Sequence, residues 1–163
     1  MVTHMELFPI DDYTLASSVY SRDAKRSPST EEDTEQRLEV FVIFTDVRGT
    51  EAAIQKAEGL AQQLGARLRL VMPYEVSYRL PLTKPPVPVE FLETRMRDLA
   101  AGTGMEVDAQ VCLCRNKASA LGNLLPPNSL VVLGAKKRWW PTAAQRLSQS
   151  LIGDGHRVIL LPI

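Results

Sequence analysis

Val40-Phe41-Val42-Ile43-Phe44-Thr45-Asp46 decides the fold. A run of β-branched and aromatic residues without polar alternation reads as a strand buried on both faces, and such strands belong to parallel sheets covered by helices. After Gly49, the residues Ala53, Ile54, Ala57, Leu60, Ala61 and Leu64 recur at helical spacing. They predict a helix over 50–64, and Gly65 supplies its left-handed stop. Leu68, Leu70 and Val71 predict a second strand. Pro73, Pro81, Pro85, Pro86 and Pro88 then predict a loop, because each lacks an amide donor.

Further along, Phe91, Leu92, Met96 and Leu99 predict a helix over 89–101, closed by Gly102 and Gly104. Met105, Val107, Ala109, Val111 and Leu113 alternate with Glu106, Asp108, Gln110, Cys112 and Cys114, the pattern of an edge strand with one wet face. Asn116 caps a short helix through Leu125, Pro126-Pro127 breaks it, and Leu130 to Gly134 forms another buried strand. Thr142-x-x-Gln145 after Pro141 is a capping box that starts the last helix near Ala143. Val158 to Leu161 is the closing strand.

Strands alternating with helices predict an α/β fold: an open parallel five-stranded sheet with helices on both faces and right-handed crossovers. Ligands in such folds sit beyond the C-terminal strand ends where strand order reverses, so Asp46 and Gly134 are expected at one crevice. This domain covers 39–163. Residues 1–38 read as an acidic, partly disordered extension, with Ser21 to Gln36 almost free of apolar residues. Before that stretch, Leu7, Phe8, Ile10, Tyr13, Leu15, Val19 and Tyr20 are apolar enough to dock somewhere as a short amphipathic segment.

The chain has 19 basic and 19 acidic side chains, yet residues 1–39 hold nine acidic against four basic, and 40–163 hold ten against fifteen. The body is therefore basic and the leader acidic. No apolar run approaches the roughly 20 residues of a membrane span, and the first residues lack a basic stretch followed by an apolar core, so a cytoplasmic protein without a membrane partner is expected.

Familiar catalytic patterns are missing. There is no Gly-x-x-x-x-Gly-Lys-Ser/Thr loop, no Gly-x-Gly-x-x-Gly after the first strand of the domain and no Gly-x-Ser-x-Gly elbow. His4 and His156 are the only histidines, and Cys112 with Cys114 offers half a tetrahedral zinc site. The most unusual string is Gly134-Ala135-Lys136-Lys137-Arg138-Trp139-Trp140-Pro141. Three cations at a crevice mouth attract phosphates, and indoles stack on bases or cover apolar surface. Adjacent residues in an extended approach point in opposite directions, so one indole is expected in the core and one outside. One short basic string lacks the extended stripe of a general nucleic-acid binder, so no nucleic-acid partner is expected.

Val42-Ile43-Phe44-Thr45-Asp46, the Gly/Thr turn, the alanine-rich helix, the Leu-rich second strand, Leu130 to Gly134 and the closing strand together resemble the universal stress protein family over about 40–163. The resemblance implies the topology shared with adenine nucleotide alpha hydrolases. It also implies a homodimer joined through the C-terminal strand. In nucleotide-binding members an Asp at the position of Asp46 faces adenosine, and a Gly-x-x-Gly-x9-Gly-Ser/Thr string wraps the phosphates. Laid on this chain, the first Gly is Gly134 and the Ser is Ser148, while Lys137 and Leu147 replace the other two glycines. Neither offers the close backbone approach to oxygen that glycine allows.

The candidate nucleotide- or anion-binding residues are thus Asp46, Val71, Gly134, Lys136, Lys137, Arg138 and Ser148. The reading is a non-enzymatic, universal-stress-like regulatory or stress-response binding module with a degenerate phosphate loop and no cofactor. One alternative is a module that binds ATP or another nucleotide with slow or no hydrolysis. A second is a structural adaptor whose Trp139-Trp140 surface meets a protein partner.

Overall fold

The computed structural model describes residues 13–20 and 38–163. Its elements run β1 (Tyr13–Tyr20), β2 (Glu39–Ile43), α1 (Val47–Leu64), β3 (Arg67–Glu75), α2 (Val89–Ala101), β4 (Val107–Cys114), α3 (Lys117–Leu124), β5 (Leu130–Ala135), α4 (Ala143–Gly153) and β6 (Arg157–Pro162). The sheet order is β1-β4-β3-β2-β5-β6. Every pairing is parallel except that of β1 with β4.

The α/β expectation holds, with one strand more than the five read from the sequence. The sixth is β1, drawn from the leader, which pairs antiparallel with β4 from Tyr13 opposite Cys114 to Tyr20 opposite Val107. The acidic stretch 21–37 expected to be a solvated tail lies outside the described residues.

Alternation along β2 shows how the sheet is sandwiched. Val40 and Val42 enter one core with Ala53, Ile54, Ala57 and Ala61 of α1 and with Leu92, Met96 and Leu99 of α2. Phe41 and Ile43 enter the other with Ala120 and Leu121 of α3 and with Leu147 and Leu151 of α4. Both faces are therefore buried, as the unbroken apolar run requires.

The edge-strand expectation for β4 is corrected. Its burial is nearly continuous, and Gln110, Cys112 and Cys114 lie inside although they looked wet. Two causes combine: β1 covers the free edge, and α3 covers the face that carries the cysteines, where Cys acts as a small apolar residue. Asp108 keeps a polar role there, holding Arg69 at 2.8 Å while that guanidinium lies over the Phe41 ring.

The proline-rich segment is also corrected at its start, since Pro73 belongs to β3 and pairs with Cys112. Backbone groups alternate in direction along a strand, and Val71 is the residue whose carbonyl accepts from the Phe44 amide on the β2 side. The missing amide of Pro73 therefore points the same way, beyond the point where β2 has ended, and costs no ladder bond. The loop proper is pinned by Arg115, whose guanidinium donates to the carbonyls of Val76, Ser77 and Leu80 at 2.6–3.1 Å and lies over Tyr78.

Candidate functional site

β3 lies on one side of β2 and β5 on the other, so strand order reverses between β2 and β5. The C-terminal ends of these two strands carry Asp46 and Gly134 into one crevice. Asp46 is extended at φ −144° and caps α1, its Oδ1 accepting from the Gly49 amide at 2.9 Å. That cap starts α1 at Val47, one turn earlier than the apolar spacing suggested, because an aspartate satisfies an orphan amide of the first turn.

The first turn of α1 packs closely on the end of β5. Thr45 Oγ1 donates to the Gly134 carbonyl at 2.8 Å, and the Thr45 amide donates to Thr50 Oγ1 at 3.2 Å. Gly134 then packs backbone against backbone on Gly49: a Cβ at Gly134 would overlap the carbonyl oxygen, Cα and carbonyl carbon of Gly49. Gly134 does not have a positive φ. Its glycine is required by helix-on-strand proximity, a role separate from any approach to phosphate.

Beyond Gly134 the backbone is occupied as well. The Lys137 amide donates to the Ile163 carbonyl at 3.1 Å, and the Ile163 amide donates to the Ala135 carbonyl at 3.0 Å. Thr142 caps α4 with the reciprocal Gln145 bonds at 2.7 and 3.2 Å, the capping box expected from the sequence. Leu147 and Ser148 follow in the second turn, both buried, with Leu147 in the apolar core. Val71 is buried in the same core. The structure thus gathers Asp46, Gly134, Lys136, Lys137 and Arg138 at the crevice mouth, while Val71 and Ser148 lie inside the fold.

At the mouth, Lys136 Nζ stands 3.9 Å from Asp46 Oδ2, both groups well exposed. A shallow cleft of about 330 Å³ is lined by Arg48, Lys136, Lys137, Arg138 and Ile163. Arg48 was not singled out in the sequence. Its signal was its place two residues beyond Asp46, in the first turn of the helix that leaves the crevice. Such exposed cations attract an anion by charge and side-chain donors, with the modest strength of solvated pairs.

The indole expectation is corrected: Trp139 is 98% exposed and Trp140 79% exposed. Neither ring belongs to the apolar core that Leu121, Leu125, Leu147 and Leu151 help to form.

The remaining titratable candidates are structural. His156 is buried, and its Nδ1 accepts from the Ser129 amide at 3.2 Å, tying the start of β5 to the start of β6. Cys112 and Cys114 are free and buried. The hydrogen bond to Cys114, and then burial, push the Cys112 thiol well above its ordinary value. Cys114 in turn donates to the Tyr74 carbonyl at 3.6 Å. Among the described residues no group of three or more His, Cys, Asp or Glu is placed to hold a metal, and no helix is long and apolar enough to cross a membrane.

No protein-family model matches the chain, and no curated protein matches it either. Among solved structures it is similar to a universal stress protein in complex with cAMP, at 16% identity and a TM-score of 0.48, over 78% of this chain and 96% of that one.

Proposed function

We propose that this chain is a non-enzymatic regulatory binding module of the universal-stress type, in which the glycine-loop route to ATP is closed and anions are met by side-chain cations. The observation that carries this reading is the backbone contact between Gly134 and Gly49, which brings the first turn of α1 onto the end of β5 at the strand-order reversal. The Lys137 amide supports it, being bonded to the Ile163 carbonyl where the resemblance would have a glycine facing phosphate. Charge without backbone donors gives weak, selective-by-charge binding.

A second reading is favoured by the pair of Asp46 and Lys136 at 3.9 Å beside the basic cleft. In it, Asp46 Oδ2 accepts from a ribose hydroxyl and Arg48, Lys137 and Arg138 meet the phosphates. ATP is one anion to try, and cyclic AMP, which the solved universal stress protein holds, is another. Native mass spectrometry of the freshly purified chain separates the readings. The first expects the bare polypeptide mass, and a stoichiometric nucleotide adduct would establish the second.

A further inference from the structure

Trp139 and Trp140 stand out at the tip of the connection between β5 and α4, directly after Lys136, Lys137 and Arg138. An indole combines a large apolar body with one polar N–H, and it is most stable where one side is apolar and the other wet. Among the described residues neither ring finds such a setting, Trp139 being 98% and Trp140 79% exposed. Lys136 is shared with Asp46, but among the described residues no carboxylate lies within ion-pair distance of Lys137 or Arg138. Arg48 lines the same cleft and adds a fourth cation.

Three kinds of partner chemistry compete for such a tip. A single nucleic-acid strand needs a basic groove with rings spaced for successive bases. Here the two rings are chain neighbours, and the surface beside Lys137, Arg138 and Trp139 is open rather than grooved. A folded protein partner needs a complementary shape, and the concavities beside Lys136 to Trp139 are shallow and open. An anionic lipid interface needs neither groove nor shape, only indoles at headgroup depth and cations against the headgroups.

We propose, in place of the sequence expectation of no membrane partner, that the Lys136 to Trp140 tip docks this protein peripherally and reversibly on an anionic lipid surface, with both indoles in the interface. This goes beyond the binding-module reading and does not rest on it, because the indoles take no part in the closed crevice.

The test uses the full chain and its own fluorescence, since Trp139 and Trp140 are its only tryptophans. Vesicles of phosphatidylcholine with phosphatidylserine should shift the emission to the blue and carry the protein down on sedimentation. Vesicles of phosphatidylcholine alone should do neither, and added salt should reverse the effect. Replacing Lys137 and Arg138 together by Gln should weaken binding roughly 25-fold, about five-fold for each cation near an anionic surface. Trp139→Ala and Trp140→Ala should each weaken it while leaving the melting temperature unchanged. The proposal is overturned by an absent shift, by equal binding to neutral vesicles, or by binding that survives the double Gln variant. A comparable shift on a single-stranded oligonucleotide in place of vesicles would also overturn it, and would assign the tip to nucleic acid.

Discussion

Gly134 at the end of β5 rests its backbone directly on that of Gly49 in the first turn of α1, and the Thr45 hydroxyl locks the contact by donating to the Gly134 carbonyl at 2.8 Å. Two glycines 85 positions apart therefore set how closely the helix leaving β2 approaches the neighbouring strand.

Substitution should separate this contact from ordinary glycine effects. Gly134→Ala forces backbone to move and should cost about 1 to 3 kcal/mol, as overpacking does. Gly49→Ala should also destabilise but by less, since its Cβ would meet Thr45 Oγ1 at 2.8 Å and the Gly134 carbonyl oxygen at 3.1 Å while the helix gains propensity. Gly59→Ala, in the same helix with nothing within 4 Å, should be stabilising by about 1 kcal/mol. Urea denaturation of the three variants gives the order directly.

Exposure sets the expectation for the indoles. Trp139→Ala and Trp140→Ala should each change stability by less than about 0.5 kcal/mol, the range of surface substitutions. A buried indole would instead cost about 3 to 5 kcal/mol on truncation. A large loss in either variant would show that the tip packs into the domain.

The leader strand has its own consequence. Tyr13 sits opposite Cys114 and packs on the core that contains both cysteines. In the full chain neither thiol should react with iodoacetamide at pH 8: the raised Cys112 thiol works in that direction, while Cys114, lowered by the hydrogen bond from Cys112, is protected by burial alone. Removing residues 1–20 leaves β4 as a bare edge, so alkylation should accelerate and stability should fall. Unchanged alkylation would show that β1 contributes no cover.

Assembly follows from the opposite edge. β6 ends the sheet beside β5, and Val158, Ile159, Leu160 and Leu161 are only half-buried. A bare apolar edge invites pairing, and a twofold axis would run two copies of β6 antiparallel. Light scattering at tens of micromolar should give a dimer mass, lost in a folded Val158→Pro variant. A monomer mass would contradict this.

Much of this architecture was legible because its signals are local. The apolar run of β2, the Gly65 stop at φ 61°, the Asn116 cap and the Thr142 capping box each depend on residues within a few positions. The crevice of Asp46 and Gly134 followed from element order alone. What escaped depends on distant partners. β1 gains its place only by pairing with residues about a hundred positions away, and the same pairing turns the apparently wet face of β4 into core. The indoles were misjudged because backbone alternation fixes opposite directions for neighbours but cannot tell whether the fold offers a pocket in either direction. Arg48 escaped because one cation in a helical turn carries no signal until Lys136 to Arg138 are brought beside it.

Calorimetric titration of the full chain with Mg-ATP tests the central claim, that the contact of Gly134 with Gly49 and the bonded Lys137 amide close the backbone route to phosphate. The account expects no heat of saturable binding at micromolar nucleotide, and no change on Asp46→Ala. Saturable micromolar binding that is lost in Asp46→Ala would contradict it.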